Sequence, residues 1–250
     1  MRILTSISAV LAGLVATAGV SAEPGEIVEY NAEYEVRYKG RRVAHAQFNV
    51  AADTEGTYVF SSSTRARGIL RLASPKPAVE WSQFGVAGDR IVPMQFRYED
   101  GSRKGDDNYA LEFNSSTGQV FVNGPGGQLS VPFEAGLLDR GSLQVELMRD
   151  LGACLHPGPL RYVDDDGVKE YEYERLEDLA VETEIGTLDT VRFSQRREGS
   201  SRNTILWLAP NLAYLPVRIE QIREGEIETV FSIEDLAGLE ATPSVCSSLG

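Results

Sequence analysis

Histidine, cysteine and tryptophan are scarce in this chain of 250 residues, with two of each. That scarcity excludes several chemistries at once. The cysteines, Cys154 and Cys246, stand too far apart in sequence to form a chelating or redox CxxC pair, and no histidine cluster accompanies them, so no metal site is expected. A Ser-His-Asp hydrolase would need His45 or His156, yet no G-x-S-x-G elbow is present, and Gly141-Ser142 lacks the flanks of one. His45 lies at a polar-side position of a strand pattern, and His156 lies in the loop Leu155–Pro159. No phosphate-cradling loop or dinucleotide fingerprint occurs, because Gly124–Gly127 is too short and no helix follows it; no cofactor is expected. Basic excess is also missing. With 24 Lys and Arg against 37 Asp and Glu, the net charge of −13 repels nucleic acid and anionic lipid at long range, so no nucleic-acid partner is expected. So many acids make a chance glycosidase-like carboxylate pair uninformative.

What is present begins with Met1-Arg2, an uncharged apolar run from Ile3 to Val20, and Val20-Ser21-Ala22 before Glu23. A basic start, a short apolar middle and small residues at the cleavage positions form a secretory signal peptide, with cleavage expected after Ala22. Residues 1–22 are therefore read as cleaved. The run is diluted by Ser, Thr, Gly and Ala relative to the ~20 apolar residues of a membrane span, so no stable span is expected after cleavage. No cysteine stands at the cleavage point for acylation. The expected location is the periplasm. In that oxidising compartment Cys154 and Cys246 are expected to pair, tethering a polar tail over residues 241–250.

Residues 23–240 read as a single, mainly antiparallel β domain. Period-two alternation dominates: Tyr30, Ala32, Tyr34, Val36 and Tyr38 share one face, opposite Asn31, Glu33, Glu35 and Arg37. The segments 43–50 and 57–62 continue the pattern as an antiparallel meander. Further strands are expected at 81–86, 90–98, 107–113, 119–122, 128–133, 161–163, 168–176, 180–185, 186–197, 203–209, 215–223 and 227–236, with Gly-, Asn- and Asp-rich turns between many of them. Asp164-Asp165-Asp166-Gly167 reads as a hairpin turn, since the spacing of a calcium loop is absent.

One segment breaks the rhythm. Leu143, Leu147 and Leu151 recur at helical spacing between a capping Asp139 or Ser142 and Gly152, which predicts a helix over Asp139–Leu151. Its apolar stripe must bury against the concave side of a curved sheet, as a plug, a lid or an end cover. Aromatic and apolar residues near turns, namely Leu70, Trp81, Phe84, Trp207 and Tyr214, are either core or the lining of an apolar ligand site.

Dispersed motifs together resemble a bacterial family of unknown function, DUF3108. They are Tyr34-x-Val36 with Gly40 and Ala44, Ser61-x-Ser63, Ser82-x-Phe84 followed by Pro93, the Asp139–Leu151 helix, Gly186–Val191, and Trp207-Leu208-Ala209-Pro210 before Leu215-Pro216-Val217-Arg218-Ile219. The resemblance extends from about Tyr30 to Leu236 and implies a periplasmic protein without known activity. A looser likeness to periplasmic lipoprotein carriers and outer-membrane lipoprotein receptors implies an incomplete or spiral β-barrel with an apolar cavity. These readings lead to a non-enzymatic cell-envelope protein that binds an apolar ligand such as a lipid or acyl chain. The alternatives are a structural protein that holds an envelope protein partner, and a hydrolase whose site is not recognised.

Overall fold

The computed structural model describes residues 25–54, 56–243 and 246; the expected signal peptide, residues 1–22, lies outside them. Tandem alternation produces fifteen strands: β1 (Tyr30–Tyr38), β2 (Arg41–Ala52), β3 (Thr57–Ala66), β4 (Ala78–Ala87), β5 (Arg90–Glu99), β6 (Tyr109–Asn114), β7 (Gln119–Gly124), β8 (Gly127–Pro132), β9 (Leu137–Leu138), β10 (Leu160–Asp164), β11 (Gly167–Thr183), β12 (Gly186–Arg196), β13 (Arg202–Ala209), β14 (Leu215–Arg223) and β15 (Glu226–Ala237). The helix α1 (Arg140–Gly152) interrupts them between β9 and β10.

All fifteen strands join one sheet in the order β8-β7-β6-β5-β4-β3-β2-β1-β15-β14-β13-β12-β11-β10-β9. Each pair is antiparallel except β9 with β10. The ends of the sheet, β8 and β9, are not hydrogen-bonded to each other, so the sheet coils without closing. Leu138, Leu160 and Tyr162 of the β9–β10 end face the main core, while Leu137 and Val163 pack against Phe96, Tyr109, Leu111 and Val122 of β5–β7. The β9–β10 end is thus wrapped between two apolar layers, which is a spiral barrel.

The interior is filled by α1, which contacts β3, β4, β5 and β10. Leu143, Val145, Leu147, Met148 and Leu151 are buried in the same core as Tyr34, Phe48, Phe60, Phe84 and Phe193. Asp139 caps the helix. Its Oδ1 accepts from the backbone N–H of Gly141 (2.8 Å) and Ser142 (2.9 Å), and its own N–H donates to Ser142 Oγ at 2.9 Å. The first turn lies so close to the sheet that a Cβ on Gly141 would sit 2.7 Å from both Phe60 Cδ1 and Ser82 Cβ. At the other end Cys154 is joined to Cys246, with Cα atoms 5.4 Å apart across 92 residues of chain. On the loop-entropy account that bridge is worth about 4 kcal/mol.

Two details depart from the sequence expectation. The segments expected as separate strands at 168–176 and 180–185 are one strand, β11, because Glu177 and Asp178 are absorbed in a bulge between Leu176 and Leu179 and not in a turn. The two-residue β9 is too short to leave a periodic signal; its ladder with β10 defines it. The helix and Asp164–Gly167 turn as expected, the latter as the β10–β11 hairpin.

Replacing Gly141 by Ala should destabilise the protein by about 1–3 kcal/mol, because neither Phe60 nor Ser82 has room to retreat in a packed core. Equilibrium urea unfolding measures this, and wild-type stability in G141A would contradict the close approach.

Candidate functional site

The five residues named as lining an apolar site do not share a wall. Phe84 is fully buried in the core and stacks near Tyr58, with ring centres 6.2 Å apart. Trp81, three positions earlier on the same strand, points to the opposite face, where the Arg97 guanidinium lies 5.5 Å from its ring centre. Trp207 is on the outer face of β13 between Arg192 and Arg218, at 4.4 and 5.8 Å. Tyr214 is buried beyond the short 3₁₀ turn Pro210–Leu212, and Leu70 is exposed on a second 3₁₀ turn, Gly68–Leu72. His45 stands on the outside of β2 between Glu33 (3.4 Å) and Glu234 (3.3 Å), and the His156 ring meets Phe193 edge-on at 5.8 Å.

What the strands do bring together is a polar recess of about 310 Å³ at one end of the barrel. The inward-facing positions change character toward that end on five strands. On β10 they run Leu160, Tyr162, Asp164; on β11 Tyr173, Tyr171, Lys169; on β12 Val191, Phe193, Gln195; on β13 Leu208, Leu206, Thr204; on β14 Val217, Ile219, Gln221. Arg197 just after β12, Arg202 at the start of β13 and Arg140 from the start of α1 complete the rim. Tyr162 and Tyr171, stacked with centres 4.9 Å apart, form one wall.

Four cations thus meet one carboxylate, Asp164, in a protein that is strongly acidic overall. Arg140 is paired with Glu80 at 2.7 Å, and Lys169 with Asp164 (3.1 Å) and Asp166 (2.5 Å). Burial alone would raise the Asp164 carboxyl, but the Tyr109 hydroxyl, and after it Arg140 and Lys169, outweigh burial and hold Asp164 below the usual carboxylate range. Among the described residues, neither Arg197 nor Arg202 makes an ion pair. Their planar forks are suited to a phosphate or carboxylate group.

A second group of charges is structural. Ser82 Oγ donates to Asp139 Oδ2 at 2.9 Å beneath the helix, and burial raises the Asp139 carboxyl to about 6 against the pull of these hydrogen bonds. Glu146 is raised by burial as well, and accepts from the Ile91 N–H (3.2 Å) and Arg149 (3.1 Å). Asp139 and Glu146 are both closed off from solvent, so they fix α1 and offer no surface to a substrate.

The family model for DUF3108, proteins of unknown function, matches residues 33–231. The chain belongs to the DUF3108 family. No curated protein matches it. A β-barrel-like protein of the DUF1849 family from Brucella abortus is similar in fold, at 11% identity and a TM-score of 0.51, over 86% of this chain and 99% of the other. A protein with a YmcC-like fold from Bacteroides fragilis aligns over 86% of this chain and 97% of its own at 10% identity, with a TM-score of 0.35. No helix among the described residues of this DUF3108 protein is long and apolar enough to cross a membrane.

No sequence motif marks the cations of the recess. Arg140, Lys169, Arg197 and Arg202 come from different elements, and only the register of the strands places them at one rim. A trace of the signal is the shift from apolar to polar at inward parity toward one end of each strand.

Because the folded protein holds the Asp139 proton more tightly than an ordinary carboxyl does, this residue stabilises the fold below about pH 4 and the contribution is lost as pH rises through 6. Asp139→Asn keeps a good cap and removes the titration. The stability of the wild type relative to D139N should fall by about 3 kcal/mol between pH 4 and 7, followed by urea unfolding at each pH. A pH-independent difference would refute the buried carboxyl's role.

Proposed function

We propose that this protein is a non-enzymatic, exported binding protein of the cell envelope that holds an amphiphile by its anionic end in the recess at the open rim of the barrel. The observation that carries this reading is the pair Arg197 and Arg202, which face the recess without an ion-pair partner among the described residues while the net charge of the chain is −13. Cations concentrated against the general charge of a protein mark a place where an anion is wanted. The interior behind the recess is occupied by α1 and aromatic core, so the acyl portion of such a ligand stays outside the barrel. Export rests on the signal-peptide pattern of residues 1–22, and the absence of catalysis on the closed surroundings of Asp139 and Ser142 and on the placement of the two histidines.

A second reading, as a protein-interaction module, is favoured by β11. Its ladder with β10 ends at Tyr171, so from Glu172 to Thr183 it is paired only with β12. A partner could add an extended segment there, although the bulge with Glu177 and Asp178 restricts which segments fit.

Isothermal titration calorimetry with decyl phosphate, below its micelle concentration, tests the first reading. Decyl phosphate should bind, decyl maltoside should not, and R197Q/R202Q should weaken the phosphate by about 10–100-fold, the worth of a charged hydrogen bond. Equal binding of the neutral detergent, or an unaffected variant, would overturn it.

A further inference from the structure

The connection between β3 and β4 has the opposite character to the rest of the surface. From Phe60 to Val79 there is no acidic residue, while Arg65, Arg67, Arg71 and Lys76 are all present and exposed. Among the described residues none of these four makes an ion pair. The centre of the connection is the 3₁₀ turn Gly68–Leu72, which buries no residue. Ile69 is 80% exposed, Leu72 69% and Leu70 46%. A single exposed leucine would need no explanation, but three large aliphatic side chains on one short protruding turn do.

Two alternatives for this protrusion fail on the same observations. A core role is excluded because the turn packs nothing inside. A docking site for a basic or neutral protein segment would leave four uncompensated cations facing it. We infer that the β3–β4 protrusion is a membrane-docking element, with Ile69, Leu70 and Leu72 entering the headgroup boundary of an anionic lipid surface and Arg65, Arg67, Arg71 and Lys76 held against its phosphates. The aliphatic side chains supply burial in a medium that accepts them, and the cations supply attraction to the surface. The net negative charge of the whole chain makes the attraction local, so it orients the protein with this end toward the membrane. β3 ends, and β12 ends, at the same end of the antiparallel sheet; the protrusion therefore stands at the rim that also holds Arg197 and Arg202. Docking does not depend on the recess binding a ligand.

The test is flotation of the protein, purified from its own cells, with vesicles of phosphatidylcholine alone and of phosphatidylcholine mixed with phosphatidylglycerol. It should float with the mixed vesicles, less so at about 0.5 M salt, where the Debye length shrinks to a few ångströms. I69S/L72S should lose at least tenfold in partitioning. R65Q/R67Q/R71Q should lose about a hundredfold, some fivefold for each charge removed. All five positions are exposed, so the variants should melt as the wild type does by circular dichroism, and R197Q/R202Q should float normally. Failure of the wild type to float with mixed vesicles would overturn the inference. So would flotation unchanged in both loop variants, or flotation lost in R197Q/R202Q, which would place the contact at the recess.

Discussion

A sheet of fifteen strands that coils without closing leaves an apolar concave face, and the burial of α1 against that face is the interaction on which the rest of the structure depends. The helix brings Leu143, Val145, Leu147 and Leu151 to the aromatic residues of β1–β4 and β12. At ~25 cal/mol per Å², burial on this scale outweighs any single polar contact in the protein. The helix is also held at both ends. Asp139 and Ser82 fix its start beneath β4, and at its finish Arg149 Nε donates to the Gly25 carbonyl at 2.7 Å while Cys154 is bridged to the tail. Gly141 is the point of closest approach, where a single added methyl has no place to go.

A filled interior dictates where chemistry can occur. Side chains that face inward in the middle of the strands are core, and only where those strands run past the end of the helix do inward positions become polar. Arg140 stands at that transition, at the first helical position, with Glu80 beside it. The recess is therefore a consequence of the helix's length relative to the strands: thirteen residues of helix do not reach as far as β11 and β12 do. What gathers there is charge opposite to that of the whole chain, and long-range repulsion of anions by the acidic surface is overcome only within a Debye length of this rim.

Much of the architecture was legible in the residues themselves. Tyr30 to Tyr38 alternates so cleanly because one face of β1 lies on the core and the other on solvent, and the Leu143–Leu151 spacing marks α1 just as directly. Local pattern failed where a local cue was ambiguous. Glu177-Asp178 has turn composition but sits in a bulge, and Leu137-Leu138 is too short to show any period. It failed for the site for a different reason. Aromatic residues such as Trp81 and Trp207 look like ligand contacts by type, yet parity and arginine stacking put both on the outer face. Conversely, Lys169 and Arg202 look like ordinary surface cations until the coil of the sheet brings their strands to one rim.

The central claim, that an amphiphile is held by its anionic end at the rim of a filled barrel, is tested most directly by native mass spectrometry of the protein purified from its own cells, with extraction and identification of whatever accompanies it. A stoichiometric anionic amphiphile, absent from R197Q/R202Q prepared in the same way, is the predicted result. A neutral lipid carried equally by both proteins, or a bare polypeptide mass in each, would contradict it.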